Sequence, residues 1–255
     1  MSPRIQIDLN CDMGEGFGPY RVAKDEDLLG YVTSANIACG FHAGDPRTMD
    51  TTVALAASRG VAIGAHVSYP DLVGFGRRHL QLSPLELITD VTYQIGALQA
   101  FCKRHGTRIS YIKAHGALYN DLAIDATLSK VMASAVLEYD PSLPVLTLAG
   151  SPSVEILGEA GVATVSEGFA DRAYTSEGRL VSRTVPGAVV TDPAVVSARG
   201  LALASHQPIN DIDGVPIIVD CQSICIHSDS PGALTLATAI RATLEDANVL
   251  VTSFR

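Results

Sequence analysis

The densest group of reactive side chains stands near the start of the chain. Asp8-Leu9-Asn10-Cys11-Asp12-Met13-Gly14-Glu15 carries three carboxylates and an amide, a set suited to holding a cation or an amine, or to exchanging protons. In an extended segment Asp8 and Asn10 share one face, with Asp12 and Glu15 expected in the loop that follows. An Asx-rich turn that satisfies its own backbone is the plainer alternative. Four histidines, His42, His66, His115 and His227, each follow a different apolar segment. One histidine so placed is usually just a satisfied polar residue. Four at equivalent positions point to function if the fold brings those segment ends together. His79, His105 and His206 fall in a loop or near helix ends and read as surface or capping residues.

Lys113 stands two residues before His115, so both share a side if the strand extends that far. A lysine there can neutralise a carboxylate or a developing oxyanion, or simply be a solvated charge. Arg77 and Arg78 follow Gly74-Phe75-Gly76 and suit forked recognition of carboxylate or phosphate, unless they are ordinary turn arginines. Glu167, Asp171 and Arg172 form a further charged group that reads equally as a structural salt bridge. No two histidines lie four apart, so helix-borne HxxxH and HExxH metal sites are absent. Any divalent metal would draw ligands from several strands, for example Asp8 with His42 and His66. The chain also lacks a GxxxxGK[ST] phosphate loop, a GxGxxG dinucleotide fingerprint and a GxSxG nucleophile elbow. Cys11 and Cys39 are placed near the same region, and free cysteine as a small buried hydrophobe is the default reading.

The elements that would position these groups repeat as short β-branched strand, polar cluster and amphipathic helix. Strands are expected at 5–10, 34–39, 61–65, 109–112, 144–148, 163–166 and 223–226. Asp45-Pro46 opens a helix that Gly60 ends. Ser83-Pro84-Leu85-Glu86 reads as a capping box starting a helix that runs to about His105. Asp192-Pro193 opens another, reaching about His206, and Ser230-Pro231 a last one. Residues 168–190 look like an excursion with a small hairpin or lid. Strands separated by helices imply parallel pairing with right-handed crossovers. Seven such units appear, without a convincing eighth. Candidate ligands end at least five strands, which favours an α/β fold of the seven-stranded, TIM-like (β/α) barrel type, whose active face lies at the carboxyl ends. An open doubly wound sheet would concentrate them at one switch point. No linker divides residues 1–255, so one barrel domain is expected.

Composition narrows the classes further. The 255 residues carry a net charge of −9 and are 47% hydrophobic and 18% charged, which excludes a disordered chain. The acidic balance argues against a nucleic-acid partner. No apolar run approaches the ~18 residues of a membrane span. The opening Met-Ser-Pro-Arg is unlike a signal peptide, and five cysteines without a CxxC pair argue against a disulfide framework. A cytoplasmic location with reduced thiols is expected.

The stretches 7–18 (IDLNCDMGEGFG), 34–46 (SANIACGFHAGDP), 64–78 (GAHVSYPDLVGFGRR), 112–120 (IKAHGALYN), 166–174 (SEGFADRAY) and 224–233 (ICIHSDSPGA) together resemble the LamB/YcsF family over nearly the whole chain. The resemblance implies a seven-stranded barrel variant similar to the carbohydrate deacetylases. It implies ATP-dependent hydrolytic opening of 5-oxo-L-proline (pyroglutamate) to L-glutamate, with ATP as co-substrate and with 5-oxoprolinase subunits B and C as partners. On that footing Asp8, His42, His66, Lys113 and His115 are the catalytic candidates. Asn10, Asp12, Glu15, Arg77, Arg78, Glu167 and His227 are the candidates for binding substrate. A metal-dependent amidase or deacetylase, and a non-catalytic binding or regulatory subunit, remain as alternatives.

Overall fold

The computed structural model describes residues 4–229 and 232–254. The helix start expected at Ser230-Pro231 lies outside them, as does the opening Met1–Pro3. In chain order the elements are β1 (Gln6–Met13), α1 (Asp25–Leu28), β2 (Ser34–Ala38), α2 (Pro46–Ser58), β3 (Ala62–Val67), α3 (Pro84–Arg104), β4 (Ile109–Ala114), α4 (Gly116–Leu122) and α5 (Ala126–Tyr139). They continue with β5 (Val145–Leu148), α6 (Pro152–Glu159), β6 (Thr164–Phe169), α7 (Pro193–Ala204), β7 (Ile209–Asn210), β8 (Pro216–Ile217), β9 (Ser223–Ile226), α8 (Ala233–Asp246) and β10 (Leu250–Val251).

Seven parallel strands close on themselves in the order β1-β2-β3-β4-β5-β6-β9, with β9 pairing back to β1 through Asp8↔Ser223 to Cys11↔Ile226. The expected seven-stranded barrel is therefore present. The missing eighth unit survives only as β10, two residues pairing with Gln6 and Ile7 at the start of β1.

Local chemistry sets the helix starts where expected. The Asp45 side chain accepts from the Arg47 and Thr48 amides with Pro46 in the first turn, and Ser83 and Glu86 form a reciprocal capping box. Asp192 caps α7 in the same way.

Alternation sorts each strand. Leu9, Cys11 and Met13 of β1, Ala35 and Ile37 of β2, and Ile63, Ala65 and Val67 of β3 join the main core under the helices. Cys11 and Cys39 belong to that core, as expected of small buried hydrophobes. The opposite faces point into the barrel. Its lower end is plugged by Tyr111, Leu146 and Val165, with Ala62 and Phe254 against them. Above that plug the interior is polar, whereas β/α barrels generally fill theirs with branched apolar side chains. An interior built of charges and amides has to serve something besides packing.

The expected excursion is a pair of antiparallel bridges, Arg172↔Val189 and Tyr174↔Leu180, over a small cluster of Ala173, Val181 and Ala188. Among the described residues no helix is long and apolar enough to cross a membrane.

Candidate active site

β1 supplies the axis of the site. It runs three residues beyond the expected Asn10, so Asp12 lies in the strand and not in a loop. Asp8, Asn10 and Asp12 consequently project inward at three successive levels.

At the lowest level the Asp8 carboxylate accepts hydrogen bonds from Thr33 Oγ1 (2.6 Å), Ser34 Oγ (2.7 Å) and Ser223 Oγ. Burial, only partly offset by these donors, pushes its pKa up to about 6. Asn10 comes next, donating to Ser223 Oγ (2.8 Å) and Glu167 Oε1 (2.9 Å). Asn36 of β2 donates to Asn10 Oδ1 (2.7 Å) and Asp12 Oδ1 (2.8 Å) and accepts from the Tyr111 hydroxyl at 2.6 Å.

The Lys113 ammonium lies at the third level, 2.8 Å from Glu167 Oε1, 3.1 Å from Asp12 Oδ1, and 3.2 Å from both Asn10 Oδ1 and Cys225 Sγ. Burial works to lower the Lys113 pKa, but the Asp12 and Glu167 carboxylates outweigh it and hold the amine protonated. Burial likewise works to raise Asp12, and His66 and Lys113 outweigh it, holding Asp12 well below the usual carboxylate range. Cys225 is pushed up, chiefly by burial, which makes it a thiol beside an ammonium and not an activated thiolate.

A histidine cluster sits at the carboxyl ends of β2, β3 and β4. His66 Nε2 lies 3.3 Å from Asp12 Oδ1 and 3.0 Å from His115 Nδ1. His42 Nε2 lies 3.2 Å from Glu15 Oε1. The His42 and His115 rings stack at 3.8 Å and 8°, while His66 stands edge-on to both. Burial first, then the neighbouring imidazoles, push His42 and His115 well below the ordinary histidine pKa. Burial, reinforced by Asp12, pushes Glu15 well above the carboxylate range. Gly76 roofs the cluster at φ +65°, where a Cβ would come within 2.8 Å of both His42 and His115. Only glycine lets the backbone press this close to the rings.

On the opposite wall His227 Nδ1 bonds to Asp171 Oδ2 at 2.8 Å, and its ring stacks on Phe169 at 5.4 Å. Burial acts to raise Asp171, and His227 outweighs it, keeping the carboxylate charged.

A cavity of about 570 Å³ opens over these groups. Of the residues singled out in the sequence, Asp12, Glu15, His66, Arg77, Lys113, His115, Arg172 and His227 line it, and so does His79, which the sequence reads as a surface or capping residue. Asp8, Asn10, His42 and Glu167 lie behind the lining, fully buried, and support the groups in front. Arg78 is corrected outright. Its guanidinium turns back onto Asp71, in the same loop, and it does not line the cavity. The salt bridge expected among Glu167, Asp171 and Arg172 is also absent. Glu167 pairs with Lys113, Asp171 with His227, and Arg172 Nη2 donates to the Val181 carbonyl at 2.5 Å. Asp8 lies apart from the two histidines that the sequence groups with it as a metal set; His42 and His66 do come together, and Glu15 and His115 stand there with them.

Sequence reasoning passes over Asn36, Tyr111, Tyr119, Cys225 and Ser223. Ser34 and Asn36 repeat on β2 the polar alternation that marks Asp8 and Asn10, so that signal is present. Nothing local distinguishes Cys225 from the other four cysteines.

The fold and site together define a β/α barrel with a deep polar well at its carboxyl-terminal mouth. The LamB/YcsF family model matches residues 7–255, and the chain belongs to that family. The A subunit of 5-oxoprolinase from Streptomyces avermitilis is 52% identical over 97% of this chain and 99% of its own. The crystal structure of a lactam utilization protein from Thermus thermophilus superposes with a TM-score of 0.93 at 42% identity, covering 98% of this chain and all of that one. A family 4 carbohydrate esterase from Streptomyces lividans shares the fold at a TM-score of 0.53 and 13% identity, over 98% of this chain and 93% of that one.

Proposed function

We propose that this chain is the A component of a 5-oxoprolinase, opening 5-oxo-L-proline to L-glutamate at the cost of ATP together with subunits B and C. The observation that carries this reading is the near-full-length likeness to the A component of the Streptomyces avermitilis 5-oxoprolinase, joined to a cavity whose lining includes Arg77, Lys113, Arg172 and a histidine, His227, that Asp171 orients from behind.

A lactam carbonyl is a poor electrophile, and ATP chemistry supplies the missing drive. Transfer of the γ-phosphoryl group to the lactam oxygen gives a phosphorylated imidate. Water adds to its carbon, the C–N bond breaks with a proton delivered to nitrogen, and a γ-glutamyl phosphate remains. A second water cleaves that phosphate, leaving glutamate, ADP and inorganic phosphate.

In this scheme Arg77 and Arg172, which line the cavity with Arg179 and Arg183, hold the substrate carboxylate and the developing phosphate. Lys113 fixes Asp12 at the cavity floor. His227, oriented through Nδ1 by Asp171, delivers the proton to the ring nitrogen through its other nitrogen. Asp8 and His42 act as supports and not as acids or bases in contact with substrate. ATP is a co-substrate of the assembled complex.

The test is glutamate release from 5-oxo-L-proline and ATP by the chain mixed with its B and C partners. Asp12→Asn and His227→Asn are each expected to cut turnover by about 10²–10⁴-fold, with folding monitored by circular dichroism. Full turnover in both variants defeats the site assignment. Glutamate formed without ATP would move the chain to the metal-dependent amidases, and binding without turnover in the complex to the non-catalytic reading.

A further inference from the structure

We infer that Glu15, His66 and His115 form a three-ligand site for one divalent transition-metal ion, open toward the cavity, with His42 positioning Glu15 from behind. The inference is independent of which substrate the cavity takes.

The first observation is a proton count. His66 Nδ1 lies 3.2 Å from the Lys113 carbonyl and His115 Nε2 lies 2.9 Å from the Phe75 carbonyl. A carbonyl oxygen only accepts, so each of these ring nitrogens carries the hydrogen. With both rings neutral, the remaining nitrogens, His66 Nε2 and His115 Nδ1, aim lone pairs at each other across 3.0 Å, while Asp12 Oδ1 and Glu15 Oε1 face them at 3.3 Å. Two lone pairs at that distance repel unless something positive lies between them. Backbone carbonyls that fix the tautomer from behind are also the usual outer partners of metal-bound histidines.

The second observation is spacing. A zinc ion with bonds of about 2.0–2.1 Å needs its ligand atoms about 3–3.5 Å apart. His66 Nε2 to His115 Nδ1 is 3.0 Å and His115 Nδ1 to Glu15 Oε1 is 3.3 Å, both within that range, whereas His66 Nε2 to Glu15 Oε1, at 3.9 Å, has to shorten for an ion to bind. All three residues line the cavity, leaving the further coordination position on the solvent side, as in sites where a metal acts on a substrate.

His42 is within reach of the same point, but its ring lies parallel to His115 at 3.8 Å. A ligating imidazole must hold the ion in its own ring plane, and two stacked planes cannot share one. His42 instead meets Glu15 Oε1 through Nε2 at 3.2 Å and orients the carboxylate. Two imidazoles and a carboxylate suit zinc, manganese, iron or cobalt. A bound ion would place Lewis acidity at the cavity wall facing Asp12 and Lys113.

The experiment uses the full chain, stripped with chelator, dialysed against Zn²⁺ or Co²⁺ at tens of micromolar, and analysed for metal by mass spectrometry. About one equivalent per chain is expected, falling at least tenfold in the His66→Gln/His115→Gln double variant. The cobalt form should show visible absorption bands of low-symmetry nitrogen–oxygen coordination. Should the double variant fail to fold, anomalous diffraction from zinc-soaked wild-type crystals locates the ion without any substitution. Density between His66 Nε2, His115 Nδ1 and Glu15 supports the site. Less than a tenth of an equivalent in the folded wild type overturns it and leaves a proton shared by His66 and His115. An ion found instead at Asp12, Cys225 and His227, lost in Cys225→Ser, overturns it equally.

Discussion

Asp8 and Asp12 stand on the same face of the same strand, four residues apart, both almost completely buried, yet the barrel drives their chemistry in opposite directions. Asp8 accepts from the neutral hydroxyls of Thr33, Ser34 and Ser223, and burial, with a smaller push from Glu167, raises its pKa to about 6. Asp12 sees the Lys113 ammonium and the His66 ring, and burial loses to them. Hydrogen bonds from neutral groups offset part of a desolvation penalty, while a full opposite charge a few ångströms away reverses it. The lower level of the barrel thus carries a carboxyl group that keeps its proton up to about pH 6, and the upper level is an ion-paired one facing the cavity.

Lys113→Met breaks this contrast most severely. It removes the only ammonium beside Asp12 and Glu167 among the described residues, leaving two buried carboxylates without their counter-charge. Breaking a buried pair by deleting one partner costs about 3–5 kcal/mol, measurable as a lower midpoint in urea unfolding. Turnover should disappear with it. A stability change below about 1 kcal/mol would mean that the upper layer is not ionic.

The two layers are unequally legible in the sequence. Strand-end polar residues announce a barrel with a functional carboxyl-terminal face, and His66, His115, His227, Lys113 and Glu15 do meet there. Depth along the barrel is hidden, because it depends on the stagger between strands and not on spacing within one. Spacing alone therefore groups Asp8 with His42 and His66, although Asp8 is in register with Ser223 and His66 with Lys113. The end of β1 is also hidden, since Cys-Asp-Met-Gly-Glu reads as turn chemistry until β2 pairs with it as far as Met13. Arg77 and Arg78 are indistinguishable as neighbours. Only the fold brings Asp71 to Arg78 and Asp229 to Arg77.

Asp8→Asn tests the lower layer by pH. A carboxyl group whose folded pKa is raised from 3.8 to about 6 binds its proton more tightly when folded. Its contribution to stability is fully present below pH 4 and lost as pH rises through 6, a change of about 3 kcal/mol. The stability advantage of the wild type over Asp8→Asn should therefore shrink by most of that amount, about 2.4 kcal/mol, between pH 4 and pH 7, read from urea unfolding at each pH. A difference that stays constant, or grows with pH, would show that Asp8 is charged throughout and that the two carboxylates are alike.

Tyr111→Phe probes the boundary between the layers, with the smallest expected effect. The Tyr111 hydroxyl donates to Asn36 Oδ1 at 2.6 Å, and Asn36 in turn donates to Asn10 and Asp12. The phenylalanine ring keeps the packing against Leu146, Val165 and Phe254, so only the hydrogen bond is removed. Its loss costs about 1 kcal/mol. Because Asn36 retains both of its donated bonds, Asp12 stays in place and turnover should remain within about twofold of wild type. A turnover loss of tenfold or more would mean that the lower level sets the position of Asp12, and that the two levels of the barrel act as one unit.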